Sequence, residues 1–403
     1  MSIDTEHYDV VIVGGRIAGA AAAINLARNG YKILLLERAG MPSDTLSTHY
    51  IWPDGTAALR RLGVLDEVMA GGLPEIHHFQ SWNGEDRLVA DLVEIDGTDF
   101  GICPRRPVLD GVLFRTAAES PDIDALDHAR MTGLLRDGER VTGVEFEHRG
   151  QTRAVTCSLV IGADGRNSSV AREVGAEKHD VMPPGRYWYY AYFSGATPPE
   201  PVDSFYVSSA ERDFIGSTRT NDGLQMVLYG AYNDDFDDFR QDHEKNYVER
   251  VKAHPVGAKI LAQAELASQV YGIAGIEGYY RQAHGPGWAL VGDAAHQKDP
   301  IAGRGVNDAL RGAEWLAAAL ADGISDAALA SYAATLREMT WQKYKMVHIV
   351  ARPDLYRTPA QGELMGERIV TDGALTEYMR LWYDDRATFD EYFAPVGSDL
   401  ATP

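Results

Sequence analysis

A glycine-rich turn early in the chain has the residue types and spacing of a nucleotide-binding turn. Residues 8–13 predict a buried strand, and a second apolar run ends just before Glu37. The turn between these runs contains three glycines, Gly14, Gly15 and Gly19. Glycine permits a tight turn and close packing of the next helix, whose N-terminus faces a diphosphate, while an acidic residue accepts hydrogen bonds from ribose hydroxyls. This spacing predicts a site for an adenine dinucleotide.

Arg16 departs from the usual pattern of this turn. It occupies the position of the second glycine, where the backbone approaches the diphosphate. Gly15 stands beside it, and a guanidinium group is attracted to a diphosphate. An ordinary strand-helix-strand unit with a glycine turn is the alternative. We favour the dinucleotide because Glu37 and later segments of the chain indicate the same ligand.

Two later segments repeat the order of strand, polar turn and helix. In the first, an apolar run ends at Asp164 and Gly165, and in the second another apolar run ends at Asp293. The loop and helix start after Asp293 contain Pro300, Gly303, Gly305, Val306 and Asn307. Ligands bind at the carboxyl ends of the strands in an open α/β sheet, and the N–H groups of a helix start face electron-rich atoms. Each turn alone is common, but the three segments together predict one ligand site.

In this order the three segments resemble the single-component (group A) FAD-dependent monooxygenases with the p-hydroxybenzoate hydroxylase fold, over most of residues 8–335. The resemblance implies that FAD is bound by the glycine turn, by Glu37 and by the two later segments. Asp164 would contact FAD and NAD(P)H, Asp293 would bind the ribityl chain, and the loop at 300–307 would lie beneath the flavin ring. The resemblance implies three further FAD contacts: Arg38 at the adenosine, Arg106 at the phosphate and ribityl region, and the backbone of Met131 at the adenine.

The resemblance also implies the fold class and the domain organisation. We expect an α/β protein with a Rossmann-like FAD-binding domain, a second, mostly β-sheet substrate domain, and C-terminal helices. The expected ranges are 1–75, 101–180 and 281–335 for the FAD-binding domain, 76–100 and 181–280 for the substrate domain, and 336–403 for the C-terminal helical segment.

Composition excludes several classes of partner. The 59 acidic residues exceed the 38 Lys and Arg and give a net charge of -21, which argues against nucleic acid. Strand-like sequence begins at residue 8 and no apolar run is long enough to span a bilayer, so we expect no signal peptide, no membrane association and a cytoplasmic location. Cys103 and Cys157 lack metal-ligand spacing, so we expect no metal. We expect a monomer or a homodimer.

Candidates for substrate contact lie in two regions. Thr48 and His49 precede Pro53 in a loop that, by the resemblance, runs close to the flavin, where His49 would orient substrate or move a proton. A packed or surface histidine is the alternative. Tyr190 and Tyr192 alternate along a predicted strand of the second domain, where they would face either the substrate or an ordinary core.

Two cations flank the predicted flavin loop. Lys298 and Arg304 would suit a carboxylate on the substrate, with Arg304 also a candidate catalytic residue. Solvation or pairing with nearby carboxylates is the alternative for at least one of them.

The resemblance implies an enzyme that uses NADPH or NADH transiently and O2 as co-substrate. Reduced FAD would form a C4a-hydroperoxide that hydroxylates a small substrate, which could carry a carboxylate, at carbon or nitrogen. A reductase of the prenyl reductase type, a flavin-dependent halogenase and a non-catalytic flavin-binding protein are the alternatives. The halogenase Trp-x-Trp-x-Ile-Pro signature does not occur in the sequence.

Overall fold

Two large β-sheets dominate the computed structural model, which describes residues 7–47, 49–83, 86–210, 213–352 and 375–384. The strands are β1 (His7–Val13), β2 (Ile33–Leu36), β3 (His78–Asn83), β4 (Asp86–Asp91), β5 (Ile123–Leu126), β6 (Ala129–Asp137), β7 (Arg140–His148), β8 (Gln151–Gly162), β9 (Lys178–Met182), β10 (Arg186–Ser194), β11 (Ser204–Ala210), β12 (Asp213–Arg219), β13 (Gln225–Tyr232), β14 (Glu265–Leu266), β15 (Tyr271–Ile273), β16 (Gly278–Arg281), β17 (His284–Gly285), β18 (Trp288–Leu290) and β19 (His296–Gln297).

Helices cover the sheets and connect their strands. The α-helices are α1 (Ile17–Arg28), α2 (Pro53–Leu62), α3 (Leu65–Met69), α4 (Arg106–Ala118), α5 (Ser169–Val174), α6 (Phe236–Phe239), α7 (His243–Ala253), α8 (Pro255–Ile260), α9 (Gly305–Ala319), α10 (Asp326–Ala351) and α11 (Leu375–Tyr383). Short 3₁₀ turns at Gly292–Ala294 and Pro300–Ala302 lie between β18 and α9.

The first sheet is parallel at its centre. Its strand order is β17-β18-β8-β1-β2-β5, with the β6–β7 hairpin attached to β8, and β18, β8, β1, β2 and β5 run parallel. All four residues of β2 are buried, as expected when both faces of a parallel sheet are covered. The carboxyl ends of β1, β2, β8 and β18 therefore meet at one edge, where the three sequence motifs begin.

The second sheet has the order β14-β10-β13-β12-β11-β3-β4, with β15 beside β10. Strand β10 is buried on both faces, and its side chains alternate between two cores. Trp188, Tyr190 and Tyr192 face a core shared with Tyr50 and Ala302, close to the first sheet. The opposite face packs against helices α7 and α8. One face of β10 is thus directed at the segment before α9.

These two sheets and their helices confirm the predicted fold class. A small three-stranded sheet, β19-β16-β9, combines strands from sequence ranges that we assigned to different domains. Helix α10 runs without interruption across position 335, where we placed a boundary. The domain ranges stay predictions. No helix in the described ranges combines the length and apolar character needed to cross a membrane.

Both thiols are buried, which suits small packing residues. Desolvation by burial raises the pKa of Cys103 far above its ordinary value and that of Cys157 to about 12. Within the described residues no group of three or more His, Cys, Asp or Glu side chains could hold a metal ion.

Gly19 is required because helix α1 and the glycine turn touch through their backbones. A Cβ atom at Gly19 would lie 1.7 Å from the carbonyl oxygen of Gly14, whereas one at Gly312 in α9 would meet its nearest atom, a Val291 methyl carbon, at 3.5 Å. We expect Gly19→Ala to lower the free energy of unfolding by about 1–3 kcal/mol through overpacking. Gly312→Ala is the matched control and should raise it by up to about 1 kcal/mol through helix propensity. Urea unfolding of the FAD-free protein measures both, and equal effects would contradict this assignment.

Candidate functional site

The glycine turn lies against the end of β8. Gly14 adopts φ +105°, and a Cβ atom there would be 2.4 Å from the carbonyl oxygen of Ala163. Only glycine fits this approach, because both the backbone conformation and the space exclude a side chain. The turn is thereby held next to Asp164, so two of the three motifs share one corner of the sheet edge.

Glu37 is buried and shapes the same corner. Its two carboxylate oxygens accept hydrogen bonds from the backbone N–H groups of Gly15 at 2.8 Å and Ala39 at 2.9 Å. Arg38 beside it is exposed, and Met131 lies buried on β6. The contacts of these residues with adenosine stay predictions; the structure adds that Glu37 also positions the glycine turn.

Arg16 and Arg106 converge on one buried carboxylate. Asp110 accepts hydrogen bonds from Arg16 Nη1 at 2.9 Å and from Arg106 Nε and Nη2 at 3.1 and 2.8 Å. Asp110 is fully buried, and Arg16 also donates to the carbonyl and hydroxyl oxygens of Ser43. Two guanidinium groups around one carboxylate leave a net positive charge, which suits a diphosphate.

Sequence reasoning missed Asp110 and Ser43. Asp110 stands four residues after Arg106 on α4, a spacing that places two side chains on one helix face and could have indicated the pair. Nothing in the spacing of Ser43 relates it to Arg16, because that contact depends on the path of a loop.

Asp164 has a structural role in addition to the predicted one. Its carboxylate accepts hydrogen bonds from the Ser168 hydroxyl at 2.5 Å and from the Ser169 amide at 2.6 Å, at the start of α5. Ser168 is the N-cap of that helix, and its hydroxyl accepts from Ala171 N. These contacts fix the turn after β8 at the sheet edge. Contact of Asp164 with FAD or NAD(P)H stays a prediction.

Asp293 lies at the sheet edge in the turn after β18, and it is exposed. Desolvation and the negative charge of Asp308 raise the pKa of Asp293 to about 6, against the opposing effects of Arg106, Arg166 and Lys298. The edge formed by the carboxyl ends of β1, β2, β8 and β18 is called the trough. A carboxylate at the position of Asp293 is an acceptor for hydroxyl groups of a ligand in this trough.

The segment before α9 is held to the loop before α2. The indole N–H of Trp52 donates to the carbonyl oxygen of Ala302 at 2.9 Å, and the Asn307 amide donates to Asp54 Oδ1 at 2.6 Å. Pro300 begins the 3₁₀ turn there, Gly303 follows with φ +61°, and Val306 is buried. A Cβ atom at Gly305 would meet no atom within 4 Å, so the start of α9 opens onto free space. Backbone N–H groups are available there to an electron-rich group.

Lys298 and Arg304 are buried and paired with carboxylates. Lys298 contacts Asp308, and Arg304 donates to Asp54 at 2.9 Å and to Asp308 at 3.4 Å. Burial by itself would raise the pKa of Asp308, but Lys298, His296 and Arg304 together hold it well below its ordinary value. Pairing with nearby carboxylates, which we gave as the alternative for at least one of these cations, therefore occurs for both. A role of Lys298 or Arg304 in binding a carboxylate-bearing substrate, and of Arg304 in catalysis, stays a prediction.

His49, Tyr190 and Tyr192 meet in one buried cluster. The Tyr192 hydroxyl contacts His49 Nε2, and the ring of Tyr190 lies edge-on to the imidazole with centroids 5.0 Å apart. Desolvation, and then the charges of Arg106 and Arg105, lower the pKa of His49 well below its ordinary value. The imidazole is therefore neutral. Thr48 lies outside the described residues.

The residues of this edge fit the parts of FAD. The Arg16–Arg106 pair suits an anionic diphosphate, Asp293 suits ribityl hydroxyls, and the open start of α9 suits the electron-rich edge of the flavin ring. Together with the two-sheet fold, this arrangement defines a flavoprotein of the oxidoreductase class.

The chain belongs to the FAD binding domain family, whose model matches residues 7–346. This match confirms the resemblance to group A flavoproteins with the p-hydroxybenzoate hydroxylase fold. A digeranylgeranylglycerophospholipid reductase 1 of Methanococcoides burtonii is 30% identical over 315 residues, covering 76% of this chain and 72% of that protein. A 6-methylpretetramide 4-monooxygenase of Streptomyces rimosus is 26% identical, covering 80% and 77%.

The fold is also similar to solved flavoprotein structures. The structure of the flavin-dependent brominase Bmp2 superposes with a TM-score of 0.80 at 19% identity, covering 94% of this chain and 93% of that chain. At this identity the likeness concerns the fold. The family match and the sequence relatives support an FAD-dependent oxidoreductase.

The raised pKa of Asp293 gives a testable pH dependence in the FAD-free protein. Because the pKa is about 6 in the folded state and near 3.8 in the unfolded state, the stability contributed by protonation is fully present below 3.8 and is lost as the pH rises through 6. Relative to the wild type, Asp293→Asn should therefore gain stability as the pH rises from 4 to 8. Thermal unfolding across this range measures the difference. Parallel profiles of the two proteins would contradict the prediction.

Arg304 should be a stability residue. Arg304→Ala leaves Asp54 and Asp308 with less compensation in the interior, so we expect a loss of about 3–5 kcal/mol in the free energy of unfolding. The control is Arg130→Ala, which removes an exposed pair with Glu147 at 2.7 Å and should cost less than about 1 kcal/mol. Chemical denaturation tests both, and equal losses would show that the Arg304 pairs behave as surface pairs.

Proposed function

We propose that this protein is an FAD-dependent monooxygenase that uses NADPH or NADH and O2 to hydroxylate a small organic substrate at carbon or nitrogen. One observation carries the proposal. The aromatic face of β10, with His49 against it, shares a buried core with Ala302 in the segment before α9. A substrate held on this face would lie next to the FAD trough.

The proposed division of work follows from the described contacts. FAD, when bound, would supply electron transfer from NAD(P)H and the reaction with O2. The Arg16–Arg106 pair would hold its diphosphate, Asp293 its hydroxyl chain, and the N–H groups at the start of α9 would stabilise negative charge on its ring. The buried core around Tyr190 would exclude water from the reaction.

Use of NADPH or NADH as a transient visitor rests on the sequence. The chain has a single strand-turn-helix with the glycine spacing of a dinucleotide site, and we assign it to FAD. The nicotinamide cofactor would then bind without a separate Rossmann domain and leave after reducing the flavin.

A reductase acting on a prenyl chain is the second candidate. The 30% identity to the digeranylgeranylglycerophospholipid reductase favours it. A halogenase is favoured by similarity of fold and by a tryptophan 2-halogenase of Chondromyces crocatus that is 25% identical over 77% of this chain, but the Trp-x-Trp-x-Ile-Pro signature does not occur in the sequence. Oxygen uptake separates the two leading candidates, because a monooxygenase consumes one O2 for each product whereas a reductase saturates its substrate without O2.

The deciding experiment uses the FAD-loaded protein. Bound FAD should be bleached by NADPH or NADH without air, and candidate small aromatic substrates in air should quicken NAD(P)H oxidation with one atom of ¹⁸O from ¹⁸O₂ entering the product. Saturated product formed without O2 uptake would establish the reductase. Flavin that neither nicotinamide can reduce would overturn both.

Asp293→Ala should weaken FAD binding by about 10- to 100-fold, since it removes an acceptor worth about 1.5–3 kcal/mol when charged. The control is Asp137→Ala, which changes an exposed acidic residue on the hairpin. Quenching of FAD fluorescence on titration measures both dissociation constants. Equal affinities in the two variants would remove Asp293 from the FAD site.

A further inference from the structure

The His49 cluster contains two buried polar atoms with no hydrogen-bond partner among the described residues. They are His49 Nδ1 and the Tyr190 hydroxyl oxygen. His49 is 0% exposed and Tyr190 is 2% exposed, so bulk water does not satisfy either atom. The Ser47 backbone N–H lowers the pKa of Tyr190 against the larger effect of burial, and because an N–H is a donor it leaves the hydroxyl hydrogen of Tyr190 without an acceptor. A buried polar atom without a partner loses its hydrogen bonds to water without replacement, and a ligand atom can restore one of them.

The contact between Tyr192 and His49 indicates which nitrogen carries the proton. Burial raises the pKa of the Tyr192 hydroxyl, so this group keeps its hydrogen, and His49 Nε2 is the acceptor that it contacts. A neutral imidazole must then carry its own hydrogen on Nδ1. The unpartnered atom of His49 is therefore a donor, and the imidazole has no free lone pair with which to act as a base.

The surroundings of this donor favour negative charge. Arg105 lies over the ring of Tyr192 at 5.1 Å, and both Arg105 and Arg106 act on His49. Desolvation raises the pKa of Tyr190, so its hydroxyl is also protonated and can donate. Tyr271 stacks on Tyr190 with centroids 5.0 Å apart, so the surroundings of the two donors are aromatic as well as cationic.

We propose that His49 Nδ1–H and the Tyr190 hydroxyl form a subsite for an oxygen acceptor on a planar, conjugated substrate, such as a ring oxyanion or a conjugated carbonyl. Tyr192 is the positioning residue that fixes the imidazole tautomer. The inference rests on the proposed function in one respect, which is that the molecule bound at this subsite is the substrate. An oxygen of FAD has the same acceptor chemistry and is the competing source.

The test uses FAD-loaded protein and two probes that differ by one oxygen, 4-nitrophenol at a pH at which it is ionised and nitrobenzene. Calorimetry should give a dissociation constant at least tenfold lower for the nitrophenolate. Tyr190→Phe should remove about a factor of ten of this preference while leaving nitrobenzene unchanged, because it removes one donor to a charged oxygen. No preference in the wild type would overturn the subsite.

Substitutions at His49 separate the two sources of the acceptor. The residue has φ +60°, which asparagine tolerates, and an asparagine amide places an N–H close to the position of Nδ1. We expect His49→Asn to keep most of the nitrophenolate preference and His49→Ala to lose it, with FAD affinity unchanged in both. If the FAD dissociation constant changes in both and the probe preference persists, FAD is the occupant and the proposal is wrong.

The role of Tyr192 has a spectroscopic signature that a packing role would not give. In protein labelled with ¹⁵N-histidine, the His49 signal is assigned by its loss in His49→Asn. It should show Nδ1 protonated and Nε2 unprotonated in the wild type. In Tyr192→Phe the two tautomers should mix and the nitrophenolate preference should fall several-fold, with the variant still folded and FAD-loaded. A wild-type imidazole protonated on Nε2 would overturn the assignment.

Discussion

The parallel pairing of β18, β8, β1 and β2 is the constraint on which the rest of the site depends. Parallel neighbours end at the same edge, so residues more than 250 positions apart in sequence, such as Gly14 and Asp293, come to one trough. The closeness of the glycine turn to the end of β8 then leaves no room for side chains at Gly14. A long, extended cofactor is the kind of ligand that such an edge can hold along its whole length.

Charge compensation divides this trough into two parts with different chemistry. Beneath the start of α9, Lys298 and Arg304 are balanced by Asp54 and Asp308, so the cations stabilise the loop. Around Asp110, two guanidinium groups meet one carboxylate and an excess of positive charge remains. Selectivity toward a substrate would then arise on the aromatic face of β10, because the exclusion of water strengthens each hydrogen bond there.

Motifs with a fixed order along the chain were predictable from sequence, and pairings between distant segments were not. Local spacing was enough to identify three segments: the glycine turn, the Asp164 turn and the segment before α9. The alternation of Tyr190 and Tyr192 predicted a shared face, but not that His49 would pack on that face. Arg304 pairs with Asp54, which lies 250 positions away in sequence, so spacing could not identify this partner. Side-chain pairing across elements depends on tertiary packing, which spacing alone does not encode.

The burial of both native thiols has a practical consequence for watching this protein at work. Thiolates are the reactive form, and Cys103 and Cys157 are held as thiols out of reach of reagents. A maleimide dye would therefore label a single cysteine introduced on the surface and leave the native thiols unmodified. Energy transfer between the fluorescent flavin and such a dye could then report turnover in real time. No native residue would have to be replaced first.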